Sequence, residues 1–385
     1  MKIVSVVGAR PNFMKVAPLC RALKAYPQVE HVLVHTGQHY DVRMSEQFFK
    51  ELDIPNPDIN LGIGSGSHAE QVGKTMIAFE QVVRAERPDW VVVLGDVNAT
   101  IACSITAKKE HVKCAHVEAG LRSRDMDMPE EVNRLVTDRL SDLLFTPDRL
   151  SDANLRAEGV PEERIRFVGN IMIDTLERER EKASALDLNE TVRENLIEDG
   201  GDLAAKSAKS AKGEIKDRGY VAVTMHRPSN VDQRETLVPA VRFFLDEVAK
   251  DYPIVWAIHP RAQKMLREFG LWDEVVAHPN MILVNPLGYH AMLRLNMGAK
   301  LFLTDSGGLQ EECCVLGTPC LTMRWNTERP VTLVEHGGAS RLVGNDVVKI
   351  RAAYHEALST DRKPSRPELW DGRTAERIAQ ELVRA

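Results

Sequence analysis

Long apolar runs are missing from this chain. No stretch approaches the roughly 20 residues needed to cross a bilayer, so the sequence reads as one that does not span a membrane. Cysteine is scarce. Cys20, Cys103, Cys114, Cys313, Cys314 and Cys320 are the only six in 385 residues, and no two form a C-x-x-C pair. That argues against a disulfide framework and against the usual zinc spacings. Excess positive charge is missing too. Lys+Arg 50 against Asp+Glu 56 gives a net charge of −6, without a broad basic field for nucleic acid. The apolar stretch in the first ten residues is too short for a signal peptide, so a cytoplasmic location is expected. A G-x-G-x-x-G dinucleotide fingerprint is absent. The 43% hydrophobic and 28% charged residues suit a globular chain with large cores. At roughly 100–200 residues per domain, the length predicts two domains, or three small ones.

Short β-branched runs alternate with helix-length amphipathic segments. Strands are expected at 2–7, 31–35, 90–94, 114–117, 143–145 and 165–168, with helices at 15–25, 69–85 and 99–108. The rhythm restarts with 220–224, 254–257, 281–284, 301–303 and 320–323. Such alternation predicts parallel sheets covered by helices on both faces. The expected fold class is α/β, with two Rossmann-like doubly wound domains facing a cleft. The first domain is expected over 1–176 and the second over 177–364, with a charged variable segment at 177–219. That segment holds a low-complexity patch, 204–213, whose spaced lysines read as a solvated face. Residues 365–385 read as a helix packing back on the first domain. Ligands of open parallel sheets bind beyond the carboxyl ends of the strands. The polar residues just after each strand are therefore the candidates.

The first strand runs into Gly8-Ala9-Arg10-Pro11, with Lys15 one turn into the next helix. A helix N-terminus with two added cations suits an anion such as a diphosphate, although an ordinary turn with a surface arginine reads the same way. Strand 90–94 ends in Gly95-Asp96, strand 114–117 ends in Glu118, and Pro129-Glu130-Glu131 opens a helix. Three carboxylates meeting at one sheet edge, Asp96, Glu118 and Glu130, suit acid/base work. Taken singly, Asp96 reads equally well as a helix cap, and Glu130 and Glu131 as dipole partners. A divalent metal is the rival use of such a cluster. In the second half, His226-Arg227 and His259-Pro260-Arg261 each follow a strand and suit a phosphate or leaving group. The most specific local signal is Asp305-Ser306-Gly307-Gly308-Leu309-Gln310-Glu311-Glu312. Its glycines admit close approach of backbone N–H groups to a phosphate, and Ser306 adds a hydroxyl donor. Glu312, one turn on, suits ribose hydroxyls. Arg324 and Arg329 follow the next strand, and Cys313 and Cys314 read as small core residues.

Together these motifs resemble the non-hydrolysing UDP-N-acetylglucosamine 2-epimerases over almost the whole chain. The likeness rests on Gly8-Ala-Arg-Pro11 with Lys15, Thr36-Gly-Gln-His39, Gly95-Asp96, His116-Val-Glu-Ala-Gly-Leu-Arg122 and Pro129-Glu-Glu-Val-Asn-Arg134. It continues through His226-Arg227, Asp305 to Glu312, and Thr327-Glu-Arg-Pro330. Residues 62–71 and the His226 loop resemble archaeal-type members. The resemblance implies a fold of the glycosyltransferase B type. It implies interconversion of UDP-N-acetylglucosamine and UDP-N-acetylmannosamine by elimination of UDP to 2-acetamidoglucal and re-addition. It implies no cofactor, no metal, a UDP-sugar as the partner, a homodimer, and service in cell-surface polysaccharide biosynthesis. Carried over by position, Asp96, Glu118 and Glu130 are the acid/base groups and His226 lies near the diphosphate. Arg10, Lys15, Arg134, Ser306, Gly307, Gly308 and Arg329 lie near UDP or the sugar, and Glu312 binds the ribose.

Two departures stand out. Many bacterial members have His-Arg-Arg-Glu-Asn where this chain has His226-Arg227-Pro228-Ser229-Asn230. Gln38-His39-Tyr40-Asp41 matches the activator-site pattern of bacterial members only in part. The alternatives are a 2-epimerase of another UDP-sugar such as a diacetamido uronic acid, a hydrolysing epimerase, a glycosyltransferase on the same fold, and a silent UDP-sugar sensor. The complete carboxylate set argues against the sensor.

Overall fold

The computed structural model describes residues 1–37, 48–197 and 214–385, and the backbone alone of Arg10. Gln38, His39, Tyr40, Asp41 and the patch 204–213 lie outside the described residues. The chain divides into two compact units, Met1–Glu179 with Pro367–Ala385, and Arg180–Arg366.

The first unit alternates strands and helices. It begins β1 (Lys2–Val7), α1 (Arg10–Leu23), β2 (Glu30–His35), β3 (Ile59–Asn60), α2 (His68–Glu86), β4 (Trp90–Leu94) and α3 (Asn98–Lys109). It continues β5 (Lys113–Val117), α4 (Pro129–Leu140), β6 (Leu143–Thr146), α5 (Arg149–Ala157), β7 (Ile165–Phe167) and α6 (Ile171–Ser184), whose residues from Arg180 on fall in the second unit. The strand order is β3-β2-β1-β4-β5-β6-β7. Every pairing is parallel, with Ser5 opposite Val92 and Val91 opposite Cys114. All five residues of β4 are buried. A central parallel strand is covered on both faces, which is why it reads as an unbroken apolar run. Helices fill in with local signals. Ser67 and Glu70 form a reciprocal capping box at the start of α2.

The second unit holds α7 (Leu188–Glu194), β8 (Val221–Thr224), α8 (Arg234–Phe243), β9 (Ile254–Ala257), α9 (Pro260–Glu268), α10 (Trp272–Ala277) and β10 (Met281–Val284). Then come α11 (Tyr289–Gly298), β11 (Leu301–Thr304), α12 (Gly307–Leu316), β12 (Cys320–Thr322), β13 (Ser340–Leu342) and α13 (Val347–Leu358). Its parallel sheet has the order β10-β9-β8-β11-β12-β13. Its core is locked by edge-on aromatic pairs, Phe244–Trp256 at 5.8 Å and Phe243–Tyr354 at 5.5 Å between centroids. In each sheet the strand order reverses at one point, between β1 and β4 and between β8 and β11. Open parallel sheets bind ligands at the carboxyl edge of such a point.

The segment 365–385 is helical only as α14 (Thr374–Arg384), which corrects the expectation of a helix from 365. Pro364 and Pro367 restrict the backbone there, and Gly372 sits at φ +80°, outside helical space. The tail belongs to the first unit. Trp370 Nε1 donates to the Pro147 carbonyl at 2.9 Å. Thr374 N and Ala375 N donate to Asp174 of α6 at 3.0 and 2.7 Å. Burial pushes the Asp174 carboxyl up to about 6, against the pull of those two donors.

All six cysteines are buried and free. Burial pushes the Cys20 and Cys114 thiols up to about 12, so they pack rather than react. Among the described residues no helix is long and apolar enough to cross a membrane.

Candidate active site

In the first unit the candidates gather behind β1, β4 and β5. Asn12 of α1 ties the ends of β1 and β4 together. Its Oδ1 accepts from Gly8 N and Ala9 N at 3.0 and 3.1 Å, and its Nδ2 donates to the Leu94 carbonyl at 2.8 Å. Arg10 is the first residue of α1. Lys15, one turn later, is buried and ion-paired through Nζ to Glu118 Oε2. Gly95 makes room for that pair. A Cβ at position 95 would lie 2.7 Å from Lys15 Nζ and 3.5 Å from Glu118 Oε2.

Glu118 itself has φ +71°, the left-handed region that L-residues avoid at a cost of about 1–2 kcal/mol. It is held there because Glu118 N and Ala119 N both donate to the Phe145 carbonyl, at 3.1 and 3.0 Å. Strain of this kind clusters where a side chain must be aimed.

Asp96 does not cap α3, whose N-cap is Val97. Its Oδ2 accepts from Arg134 Nε and NH2 at 3.0 and 2.7 Å, and its carbonyl accepts from Asn133 Nδ2 at 2.8 Å. Arg134 is 2% exposed, and its guanidinium also pairs with Glu131. The two adjacent glutamates of α4 have different surroundings. Glu131 is buried and accepts from Ser123 N, Ser123 Oγ and Arg124 N at 2.9–3.0 Å, so it folds the loop before the helix. Glu130 is half-buried and, among the described residues, has no hydrogen bond or ion pair.

Behind these groups lies His116 of β5, fully buried. Its Nδ1 faces Asp138 Oδ1 at 2.6 Å and its Nε2 faces the Gly95 carbonyl at 2.8 Å. Asp138 Oδ2 also accepts from Gly120 N at 3.0 Å and pairs with Arg122 at 2.7 Å. Burial alone would raise the Asp138 carboxyl, but His116 and Arg122 overcome it and hold it below the ordinary range.

In the second unit the candidates follow β8, β11 and β12. His226 Nδ1 pairs with Asp305 Oδ1 at 2.7 Å, leaving the ring 41% exposed while Asp305 is fully buried. Asp305 also accepts from His226 N at 2.9 Å, Arg227 N at 2.8 Å and Asn230 Nδ2 at 3.1 Å. Burial would raise its carboxyl, yet the His226 ring and these donors bring it down to about 2. The His259 ring lies 5.8 Å from that of His226. Ser306 is the N-cap of α12 but makes no side-chain cap bond. A Cβ at Gly307 would lie 2.7 Å from Arg329 NH1 and 2.8 Å from Glu328 Oε1, whereas one at Gly308 would meet nothing within 4 Å. Arg329 is buried between carboxylates, with Nε on Glu311 at 2.7 Å and NH1 on Glu328, and Arg324 holds the other Glu328 oxygen at 2.7 Å. Glu312 lies buried on the same helix. Among the described residues no group of three His, Cys, Asp or Glu side chains is arranged to hold a metal.

Post-strand position was enough to nominate Asp96, Glu118 and His226. It missed Asn12, His116, Asp138 and Asn230, which act on residues as far as 93 positions away, and it passed over Asp305 inside the Asp305–Glu312 motif. The one available signal was a polar residue inside or just after an apolar strand, as with His116 and Asp305.

The family model described as UDP-N-acetylglucosamine 2-epimerase matches residues 21–383. The UDP-N-acetylglucosamine 2-epimerase of Methanocaldococcus jannaschii is 40% identical over 384 residues, covering 100% of this chain and 99% of its own. The UDP-2,3-diacetamido-2,3-dideoxy-D-glucuronate 2-epimerase of Pseudomonas aeruginosa is 35% identical over 384 residues and 100% of both chains. The crystal structure of the Methanocaldococcus jannaschii enzyme in complex with UDP-GlcNAc and UDP superposes with a TM-score of 0.87 at 40% identity, covering 100% of each chain. The two parallel sheets are thus two Rossmann-like domains of the glycosyltransferase B type.

Proposed function

The chain belongs to the UDP-N-acetylglucosamine 2-epimerase family, and from that premise we propose that it inverts C2 of UDP-N-acetylglucosamine to give UDP-N-acetylmannosamine. The reading is carried by one observation. Asp96 and Glu118 leave adjacent strands at one sheet edge, each held by its own buried cation.

The C2 proton is not α to a carbonyl, so a base alone faces a high barrier. Departure of UDP from C1 builds oxocarbenium character and acidifies that proton. A carboxylate takes the C2 proton, the C–H electrons form the C1=C2 bond, and the C1–O bond breaks with its electrons going to UDP. The product is 2-acetamidoglucal. A proton delivered to the opposite face of C2 and return of UDP to C1 complete the inversion. Two faces need two proton carriers, and Asp96, Glu118 and Glu130 supply them. Arg134 acts through Asp96, and Lys15 through Glu118. Around the diphosphate His226 lies with Arg10 and Arg329, the two arginines supply positive charge, and the α12 N-terminus with Ser306, Gly307 and Gly308 supplies N–H and O–H donors. Open space beside Gly308 supports a close backbone approach there. Glu312 accepts from the ribose hydroxyls.

A second reading, C2 inversion of UDP-2,3-diacetamido-2,3-dideoxy-D-glucuronate, is favoured by the full-length likeness to the Pseudomonas enzyme. One experiment separates the two. Each sugar nucleotide is incubated with the protein in heavy water and followed by proton NMR. The expected result is UDP-N-acetylmannosamine carrying deuterium at C2, with UDP retained. Free N-acetylmannosamine would mean hydrolysis. Exchange only in the diacetamido substrate would establish the second reading, and no exchange in either would sink both.

A further inference from the structure

His116 has no surface and no route to a ligand, since its side chain is fully buried. Yet its ring touches the three elements that carry the candidate carboxylates. It stands on β5, two residues before Glu118. Its Nε2 faces the carbonyl of Gly95, the residue before Asp96. Its Nδ1 faces Asp138 on α4, the helix that also carries Glu130 and Arg134. Both nitrogens meet acceptors, and only a ring with a proton on each nitrogen donates to both. Such a buried ion pair adds little net stability over apolar packing, because desolvation offsets the attraction. What it does add is geometry. The Gly95 turn, at φ +65°, and Glu118, at φ +71°, are both left-handed and both within two residues of the ring or its acceptor. Gly95 N also donates to the Val117 carbonyl at 3.0 Å, so the Asp96 loop is tied to β5 from both its N–H and its C=O.

We propose that His116, with Asp138, is a positioning residue for inversion at C2: one doubly donating imidazole fixes the Asp96 loop, the Glu118 turn and the Glu130 helix relative to one another. The inference rests on the epimerase reading above, and its test separates the two. His116→Asn, Asp138→Asn and the double variant are purified and assayed for epimerisation, C2 deuterium exchange and UDP affinity. Misplacing a proton carrier by an ångström costs rate far more than binding. The expected result for each single variant is a kcat loss of about 100-fold, with KM and UDP affinity within about threefold of wild type. The double variant loses no more than either single one, because the pair acts as a unit. Nitrogen-15 NMR of the histidine-labelled wild type gives a readout that needs no variant to fold. Both ring nitrogens of His116 carry protons, each split by its N–H coupling. A single protonated nitrogen overturns the inference, as does a His116→Asn enzyme with wild-type kcat, or a loss shared equally by kcat and UDP affinity. A wild type inert towards both sugar nucleotides removes the epimerase reading, and this inference with it.

Discussion

The two candidate regions are built with opposite charge layering. In the first unit Asp96 stands forward of its cation, 24% exposed where its partner Arg134 is 2% exposed, while the Lys15–Glu118 pair is buried on both sides. In the second unit the order is reversed. His226 is 41% exposed, and the carboxylate behind it, Asp305, is fully buried. Asp96 and His226 are each oriented by a hidden hydrogen-bonding partner, which limits motion without consuming the outward face. The difference matches the two tasks proposed for the units. Moving a proton at carbon calls for a forward carboxylate, and holding a diphosphate calls for forward nitrogen groups.

The sharpest way to break this comparison is to neutralise the two acids held by buried cations. Asp96→Asn and Glu118→Gln should each lower C2 exchange by about 10³-fold while UDP binding, read by calorimetry, stays near wild type. Wild-type exchange in both would move the acid/base roles elsewhere. Next come the adjacent glutamates. Glu130→Gln should cost about 100-fold in rate with an unchanged melting temperature. Glu131→Gln should instead destabilise the fold by about 1–3 kcal/mol, because it holds the 123–131 loop. Equal melting temperatures in the two variants would contradict the division. In the second unit Asp305→Asn should lower turnover by about 10- to 100-fold and weaken UDP binding, the mark of a partner that orients the anion-facing group. Unchanged UDP affinity would show that His226 does not depend on it.

Two smaller effects complete the series. Gly307→Ala should lower stability by about 1–3 kcal/mol, since its methyl meets the Arg329–Glu328 pair. Gly308→Ala should keep or slightly raise the melting temperature and lose UDP affinity. Acid unfolding gives the last measure. The Asp305 carboxyl is held at about 2, below its unfolded value near 4, so its contribution is present above about pH 4 and lost as pH falls towards 2. At neutral pH that amounts to about 2 kcal/mol, and Asp305→Asn should flatten this limb of the stability profile.

Much of this molecule was legible in its sequence because its central strands are buried on both faces. The runs at 90–94 and 254–257 coincide with β4 and β9. The short edge strands were not legible. Ile59–Asn60 and Ser340–Leu342 are two and three residues long, and their pairing is set by their neighbours rather than by any apolar run. Residues 365–373 carry helix-forming letters, but prolines and a left-handed glycine override them. Among the acids, Glu130 and Glu131 look alike at a helix start. Only the fold of the preceding loop tells a carboxylate engaged in structure from one left outward. His116 and Asp305 carried only the weak signal of a polar residue in or just after an apolar strand. Their meaning lies in partners 22 and 79 residues away, a distance that no local pattern encodes.

The left-handed backbone at Glu118 has a consequence for anyone improving this protein. Glycine occupies that conformation freely, so Glu118→Gly relieves the backbone there and also removes a buried charge. Lys15 must change with it, for example as Lys15→Met with Glu118→Gly, so that no cation is left buried alone. A thermostability screen that reads only melting temperature would therefore favour the double substitution that deletes the aimed carboxylate. Selection in such a campaign has to include turnover, or it will drift towards a sturdier and inert protein.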